Sequence, residues 1–379
     1  MRSIYIRSIL IAACAALGWL SISFEPSPSK VAAAELEKPP GADYEGNAFE
    51  FHKVRDDVYL AVGTGNLTVV CNASIVINQD DVLIVDSHTT PAGAWALLRE
   101  LKRITPKPVR YVINSHFHVD HVHGNQIYPK DVEIIGHQFT RDMIAAGKSW
   151  SGRAYDSVVG SVPDQIARLE RQRADAADAA VRKDLERQLV IRGNFLAATK
   201  AVTPTPPTLT LVDRLTLFRG KREIRLLFLG RGHTGGDVVV HLPAEKLLMT
   251  GDLLLRTVPY MGDCYPEEWI QTLERLKSLE FDVILGGHGT PFREREKIDH
   301  LQAYLRDFWR QVVPLHKSRV PPEEAARRID MRAHAAHYTS IKDIGVSPVP
   351  VLRAYDLLDG KNLTKDRLTP APDLSLAVD

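Results

Sequence analysis

The most constraining feature of this chain is the run Asn114-Ser115-His116-Phe117-His118-Val119-Asp120-His121. Three imidazoles and a carboxylate stand within six positions. Such a cluster has little structural use, because ionisable side chains are seldom buried without partners. It suits a transition metal. Imidazole with carboxylate favours zinc and admits iron or manganese. Four groups so close in a loop cannot all reach one ion, but residues pointing alternate ways can serve two adjacent ions. The run follows the apolar, β-type stretch Val109–Ile113, which places it on a loop at the end of a strand.

Further candidates stand at strand ends. His233 lies in Gly232-His233-Thr234-Gly235-Gly236-Asp237, and Asp252 follows the strand-like Leu247–Met249 in Thr250-Gly251-Asp252. His288 lies in Gly286-Gly287-His288-Gly289, after Val283–Leu285, and Asp86 closes Val82–Val85. Glycine beside a ligand lets backbone crowd around an ion without a Cβ clash. Taken singly, each of these is read as a loop histidine or a turn aspartate. Beside the His116–His121 run they read as one constellation.

On these residues the chain resembles the metallo-β-lactamase superfamily. Asp86, the H-x-H-x-D-H run at His116–His121, His233, Asp252 and His288 match that family's five motifs in order, over roughly residues 50–295. The resemblance implies an α+β fold, an αββα sandwich of two mixed β-sheets with helices on the outer faces. It implies that His116, His118 and His233 hold a first ion, and Asp120, His121 and His288 a second. Asp252 would bridge the two, and Asp86 would orient ligands. Two Zn2+ per chain are implied, with iron or manganese as alternatives.

The implied activity is hydrolysis of an ester, thioester, lactone or amide by a metal-bound hydroxide, which a metal generates near neutral pH. Asp120 would be the catalytic residue, orienting the nucleophile and passing a proton to the leaving group. A β-lactamase is the second reading. Asp252 speaks against it, since zinc β-lactamases usually lack an aspartate bridge, and Cys264, twelve residues beyond, does not replace it. An iron-dependent sulfur dioxygenase of the same fold is the third. His123 stands where the resemblance implies glycine, as a packing or a pocket residue. His88, His137, His241, His300, His316, His334 and His337 receive no functional role.

Other strand-like runs are Val58–Val62, Ser74–Ile77, Val132–Ile135, Leu209–Leu217, Ile224–Phe228 and Val238–His241. They fall into two clusters, which suggests two facing sheets. Pro91 and Pro266 open helices whose apolar residues recur at helical spacing. Residues 161–200 are charged, with a sparse apolar stripe, and read as one or two exposed helices ending near Gly193-Asn194. They form a helical insertion, expected to overhang the metal edge as a lid. The expected organisation is a signal peptide at 1–34, a linker at 35–47, the metal-binding domain at 48–300 and a C-terminal helical extension at 301–379.

Arg2 and Arg7 precede an uncharged, mostly apolar stretch from Ser8 to Phe24, and Ala32-Ala33-Ala34 offers a cleavage site. This reads as a secretory signal peptide, so the mature chain is expected to be secreted, into a bacterial periplasm. Cleavage would remove Arg2, Arg7, Lys30 and Glu25, taking the formal net charge from +1 to −1. A charge so even gives no electrostatic footprint for nucleic acid, and no basic, aromatic-interleaved patch stands out. The expected partner is a small-molecule substrate, with no nucleic acid and no stable membrane partner after cleavage. Cys71 and Cys264 would remain, either paired or free and buried.

Overall fold

Twelve strands, described within residues 36–361 of a computed structural model, build two sheets. The first holds β1 (Phe49–Arg55), β2 (Val58–Gly63), β3 (Ala73–Ile77), β4 (Val82–Val85), β5 (Val109–Asn114), β6 (Glu133–His137) and β7 (Leu209–Leu211), side by side in that order. It is antiparallel from β1 to β4 and parallel from β4 to β7. The second holds β8 (Arg214–Arg219), β9 (Arg222–Phe228), β10 (Val238–Leu242), β11 (Leu247–Gly251) and β12 (Val283–Gly286). Only β11 and β12 run parallel in it. The expected signal peptide lies outside the described residues. Among those described, no helix is long and apolar enough to cross a membrane.

Strand alternation explains the layering, since successive side chains point to opposite faces. Leu83 and Val85 of β4 pack with Leu247 and Met249 of β11 and Val283 and Leu285 of β12 in a core between the sheets. Val82 and Ile84 point the other way, against Ala94, Leu97 and Leu101 of the helix Pro91–Leu101. Leu248 and Ile284 likewise face Trp269, Leu273 and Leu276 of the helix Pro266–Lys277, and Leu301, Leu305 and Phe308 of the helix Glu296–Lys317. Helix, sheet, sheet, helix is the order of layers, as the resemblance implied. Removing one buried anchor, such as Leu97→Ala, costs about 2–5 kcal/mol in a core of this kind.

The outer helices have local causes. Pro91 occupies the first turn of its helix, and the Thr90 hydroxyl accepts from Gly93 N–H at 3.1 Å. Glu267 and Glu268 open the helix Pro266–Lys277 while Arg275 and Lys277 close it, complementing the helix dipole. Glu100, buried on the first helix, accepts from Ala48 N–H at 2.8 Å, Phe49 N–H at 3.1 Å and the Tyr44 hydroxyl at 2.8 Å. Those three bonds dock the chain's entry onto the sandwich.

Three expectations differ in detail. The run Leu209–Leu217 is two strands, β7 and β8, parting at Val212-Asp213 and belonging to different sheets. β1 lies beyond the expected linker, inside the expected domain, where no strand-like run was marked. The insertion forms helices Val162–Asp175 and Ala179–Lys200, the second running through Gly193-Asn194. A Cβ at Gly193 would meet nothing within 4 Å, so this glycine costs only propensity, about 1 kcal/mol. Phe195 and Ala198 are buried beyond it and carry the helix on. Ala198 packs with Ala42 and Ala92 beside Trp95, so this end of the insertion rests on the first outer helix.

Candidate metal centre

The parallel strands β4, β5, β11 and β12 deliver Asp86, the 116–121 run, Asp252 and His288 to one edge of the sandwich. His233 joins them from the β9–β10 loop. That loop is locked where Asp237 accepts from the Thr234 hydroxyl at 2.6 Å and from Thr234 N–H at 2.9 Å. Val238 N–H then donates to Ser115 O at 2.7 Å, tying the two sheets together at the site.

Asp86 sits at φ 68°, a left-handed conformation that is costly for a residue with a Cβ. The strain places its carboxylate under two ligands. One oxygen accepts from Ser115 N–H at 2.8 Å. The other accepts from the Ser115 hydroxyl at 2.9 Å and from His121 Nδ1–H at 2.8 Å. Ser115 Oγ, its proton given to Asp86, accepts in turn from His116 Nδ1–H at 3.0 Å. His116 and His121 therefore both present the Nε2 lone pair to the site. His118 is held the opposite way. Its Nε2–H donates to Asp263 Oδ2 at 3.0 Å, which leaves the Nδ1 lone pair pointing inward.

These lone pairs converge. His118 Nδ1 lies 3.1 Å from His116 Nε2 and 3.0 Å from His233 Nε2. His116 and His118 have no proton to share across that gap, a geometry that fits a cation held between the rings. A second group forms beside it. Asp120 Oδ2 stands 3.4 Å from His121 Nε2 and 3.2 Å from His288 Nε2. Asp252 lies between the groups, with Oδ1 3.6 Å from His121 Nε2, and Oδ2 3.2 Å from His288 Nε2 and 3.8 Å from His233 Nε2. His116, His118 and His233 could hold one ion, and Asp120, His121 and His288 another.

Two further observations fit cations. His121 Nε2 and Asp252 Oδ1 are buried with no hydrogen-bond partner. Gly287 leaves the space they need, for a Cβ there would stand 2.3 Å from Asp252 Oδ1 and 2.7 Å from His121 Cε1. The electrostatics agree. Burial, with help from neighbouring imidazoles, pushes His116 well below its ordinary range and His233 down to about 3, so both stay neutral and able to ligate. Burial also opposes protonation of His121 and His288. The carboxylates outweigh it, raising His121 well above its usual range and His288 to about 10. The acidic half of the site thus demands positive charge, which protons supply where cations do not.

All seven residues singled out in the sequence meet here. Asp263 and Ser115 were not singled out as partners of the ligands. Tyr260 lies with its ring centre 5.6 Å from that of His118. His123 packs, stacked on Trp150 at 4.1 Å between ring centres. Cys71 and Cys264 are both buried and free, so they do not pair. Cys71 donates to Asp120 O at 2.8 Å, and Cys264 to Met261 O at 3.2 Å.

Residues 67–288 match the metallo-β-lactamase superfamily, more than half of the chain. The chain belongs to this superfamily. Among curated relatives, a linear primary-alkylsulfatase of Pseudomonas sp. (strain ATCC 19151) is 24% identical over 69% of this chain and 50% of its own length. A probable metallo-hydrolase, YqjP, of Bacillus subtilis (strain 168) is 21% identical over 57% of this chain and 66% of its own. The chain thus spans about half to two thirds of the length of these relatives. Of solved structures, a metallo-beta-lactamase from Pontibacter korlensis is similar over 68% of this chain and 99% of its own, at 17% identity and a TM-score of 0.49.

Proposed function

We propose that this chain is an exported, zinc-dependent hydrolase that cleaves an ester, thioester, lactone or amide in a small-molecule substrate. One observation carries the reading: buried imidazole lone pairs and carboxylates converge as two adjacent groups, with Asp252 between them. His116, His118 and His233 would hold the first ion and Asp120, His121 and His288 the second, with the Asp252 carboxylate in reach of both groups. Bound there, two divalent cations supply an activated water near neutral pH and an electrophile for the substrate. The protein's own groups do the rest. Asp86 fixes the ring orientation of His116 and His121. With His121 and His288 neutral as ligands, the Asp120 carboxylate would orient the attacking water and pass a proton to the leaving group.

His288 is the one ligand side chain that is substantially accessible, at 31%, and marks the open side. Its ring accepts no proton from that side, since Nδ1–H donates to Val70 O at 3.1 Å. The loop 64–72 therefore borders the mouth and, with Tyr260, limits what enters. A sulfate ester is a second substrate class, favoured by the likeness to the alkylsulfatase. The test is a screen of the purified, zinc-loaded chain on aryl esters, S-acyl thioesters, acyl-homoserine lactones, nitrocefin and primary alkyl sulfates. Hydrolysis lost on chelation and restored by zinc is expected, and turnover of nitrocefin alone would move the reading to a β-lactamase. One tightly held iron, with oxygen uptake on a persulfide and no hydrolysis, would overturn it. Export is checked by N-terminal sequencing of the cell-processed chain, which is expected to begin at Glu35.

A further inference from the structure

The segment Gly262–Tyr265 carries none of the family's motifs, yet it controls a ligand. Asp263, its side chain 11% accessible, holds the outer nitrogen of His118 at 3.0 Å. The segment is gripped by a helix that lies outside the matched residues 67–288, Pro348–Leu358. Arg353 of that helix is 1% exposed, and its Nε–H donates to Cys264 O at 2.9 Å. Its guanidinium stands 4.8 Å from the centre of the Tyr265 ring. Asp356 of the same helix accepts from Arg153 at 2.7 Å, and Arg153 reaches Gly262 O at 3.5 Å. Both carbonyls flanking Asp263 are thus held by cationic side chains, one on the C-terminal helix and the other paired to it.

A guanidinium buried this deeply is expensive unless the charge is used. Its use here follows from tautomer chemistry. His118 ligates through Nδ1, so Nδ1 must be bare and the proton must sit on Nε2. Only an acceptor at Nε2 enforces that, and a carboxylate does so best. We propose that Asp263 is a positioning residue for His118, and that Arg353 acts through it, so that the C-terminal helix sets the geometry of the first ion's site. The proposal rests on the two-ion reading above and adds to it a part of the chain remote in sequence.

The test strips the full chain of metal and titrates it with zinc against a competing chelator. Cobalt(II) in parallel reads coordination from its visible spectrum. The wild-type chain is expected to take two ions. Asp263→Ala is expected to weaken one of them by about 10- to 100-fold, the usual cost of losing an outer partner, and to alter the cobalt spectrum. The metal-free variant should still unfold at the wild-type midpoint. Arg353→Lys keeps the charge but loses the planar fork, and is expected to weaken the same ion. In the double variant the second change should cost nothing further, because its route is already cut. Should Arg353→Lys fail to fold, Asp356→Ala, at the half-exposed pair with Arg153, takes its place in the same cycle. Unchanged affinity for both ions in Asp263→Ala, or losses that simply add, would overturn the proposal. A wild-type chain that binds no zinc would instead remove the two-ion reading on which it stands.

Discussion

Asp252 makes the strongest demand of any single residue. Its Oδ1 is buried and unpartnered, and its Oδ2 faces two histidines. Burial disfavours its charge, yet His288 and His121 keep its carboxyl well below the usual carboxylate range. Asp252→Ala is expected to lose the second ion and to cut turnover by more than the roughly 100-fold that an outer-sphere loss costs. Metal analysis and turnover check this together, and full activity with two ions bound would remove Asp252 from the centre. Gly287→Ala tests the same space from the opposite side. Its new Cβ would stand 2.3 Å from Asp252 Oδ1, so either the carboxylate moves or the β12 end does. The expected result is a chain that folds, keeps the first ion and binds the second more weakly. A zinc titration decides it, and two wild-type affinities would show that the cradle is not tight.

At the scale of elements, the helical insertion invites the sharpest test. Val162, Leu185, Phe195 and Ala198 are its buried residues, and Ala198 rests on the first outer helix. The stretch just before it, at Trp150 and Tyr155, packs against His123, two residues from a ligand. Replacing residues 165–192 by a short Gly/Ser linker is expected to leave metal content intact and to change the relative rates on small and bulky esters. Equal ratios in the shortened and full chains would deny the pair any part in selection. The elements also show what sequence reveals. β4, β11 and β12 were legible because continuous apolar runs ended in Asp or Gly-His-Gly. β1 was not, because Glu50, His52 and Lys53 interrupt an edge strand buried mainly at Phe49. The sheet change at Val212-Asp213 was hidden because both flanking runs look alike. All seven ligand candidates were legible because each stands in a compact motif. Asp263 and Arg353 were not, since Asp263 lies 145 positions from His118 and Arg353 lies 89 from Cys264. Only the fold brings them together.

The described residues build two sheets joined by an apolar core and, at one edge, by the candidate metal centre. His116, His118, Asp120 and His121 follow the first sheet, whereas His233, Asp252 and His288 belong to the second. Each group that could hold an ion draws on both sheets, so bound cations would cross-link the sandwich. Ions that bind only the native state stabilise it by RT ln(1 + [L]/Kd), about 4 kcal/mol per ion at a thousandfold excess over Kd. At about 2 cal/mol/K of unfolding entropy per residue, a domain of this size gains roughly 6 °C in Tm for each ion. Chelation is therefore expected to lower the melting temperature in a graded, zinc-reversible way. In the metal-free state His288, its proton held by the neighbouring carboxylates, pairs with Asp252 at 3.2 Å. Asp252→Ala should accordingly melt lower than wild type without metal, and lower still relative to wild type with saturating zinc. Calorimetry of both proteins in both states reads this widening gap directly. A wild-type melting temperature indifferent to zinc would mean that the edge of the sandwich holds no cation that matters to its fold.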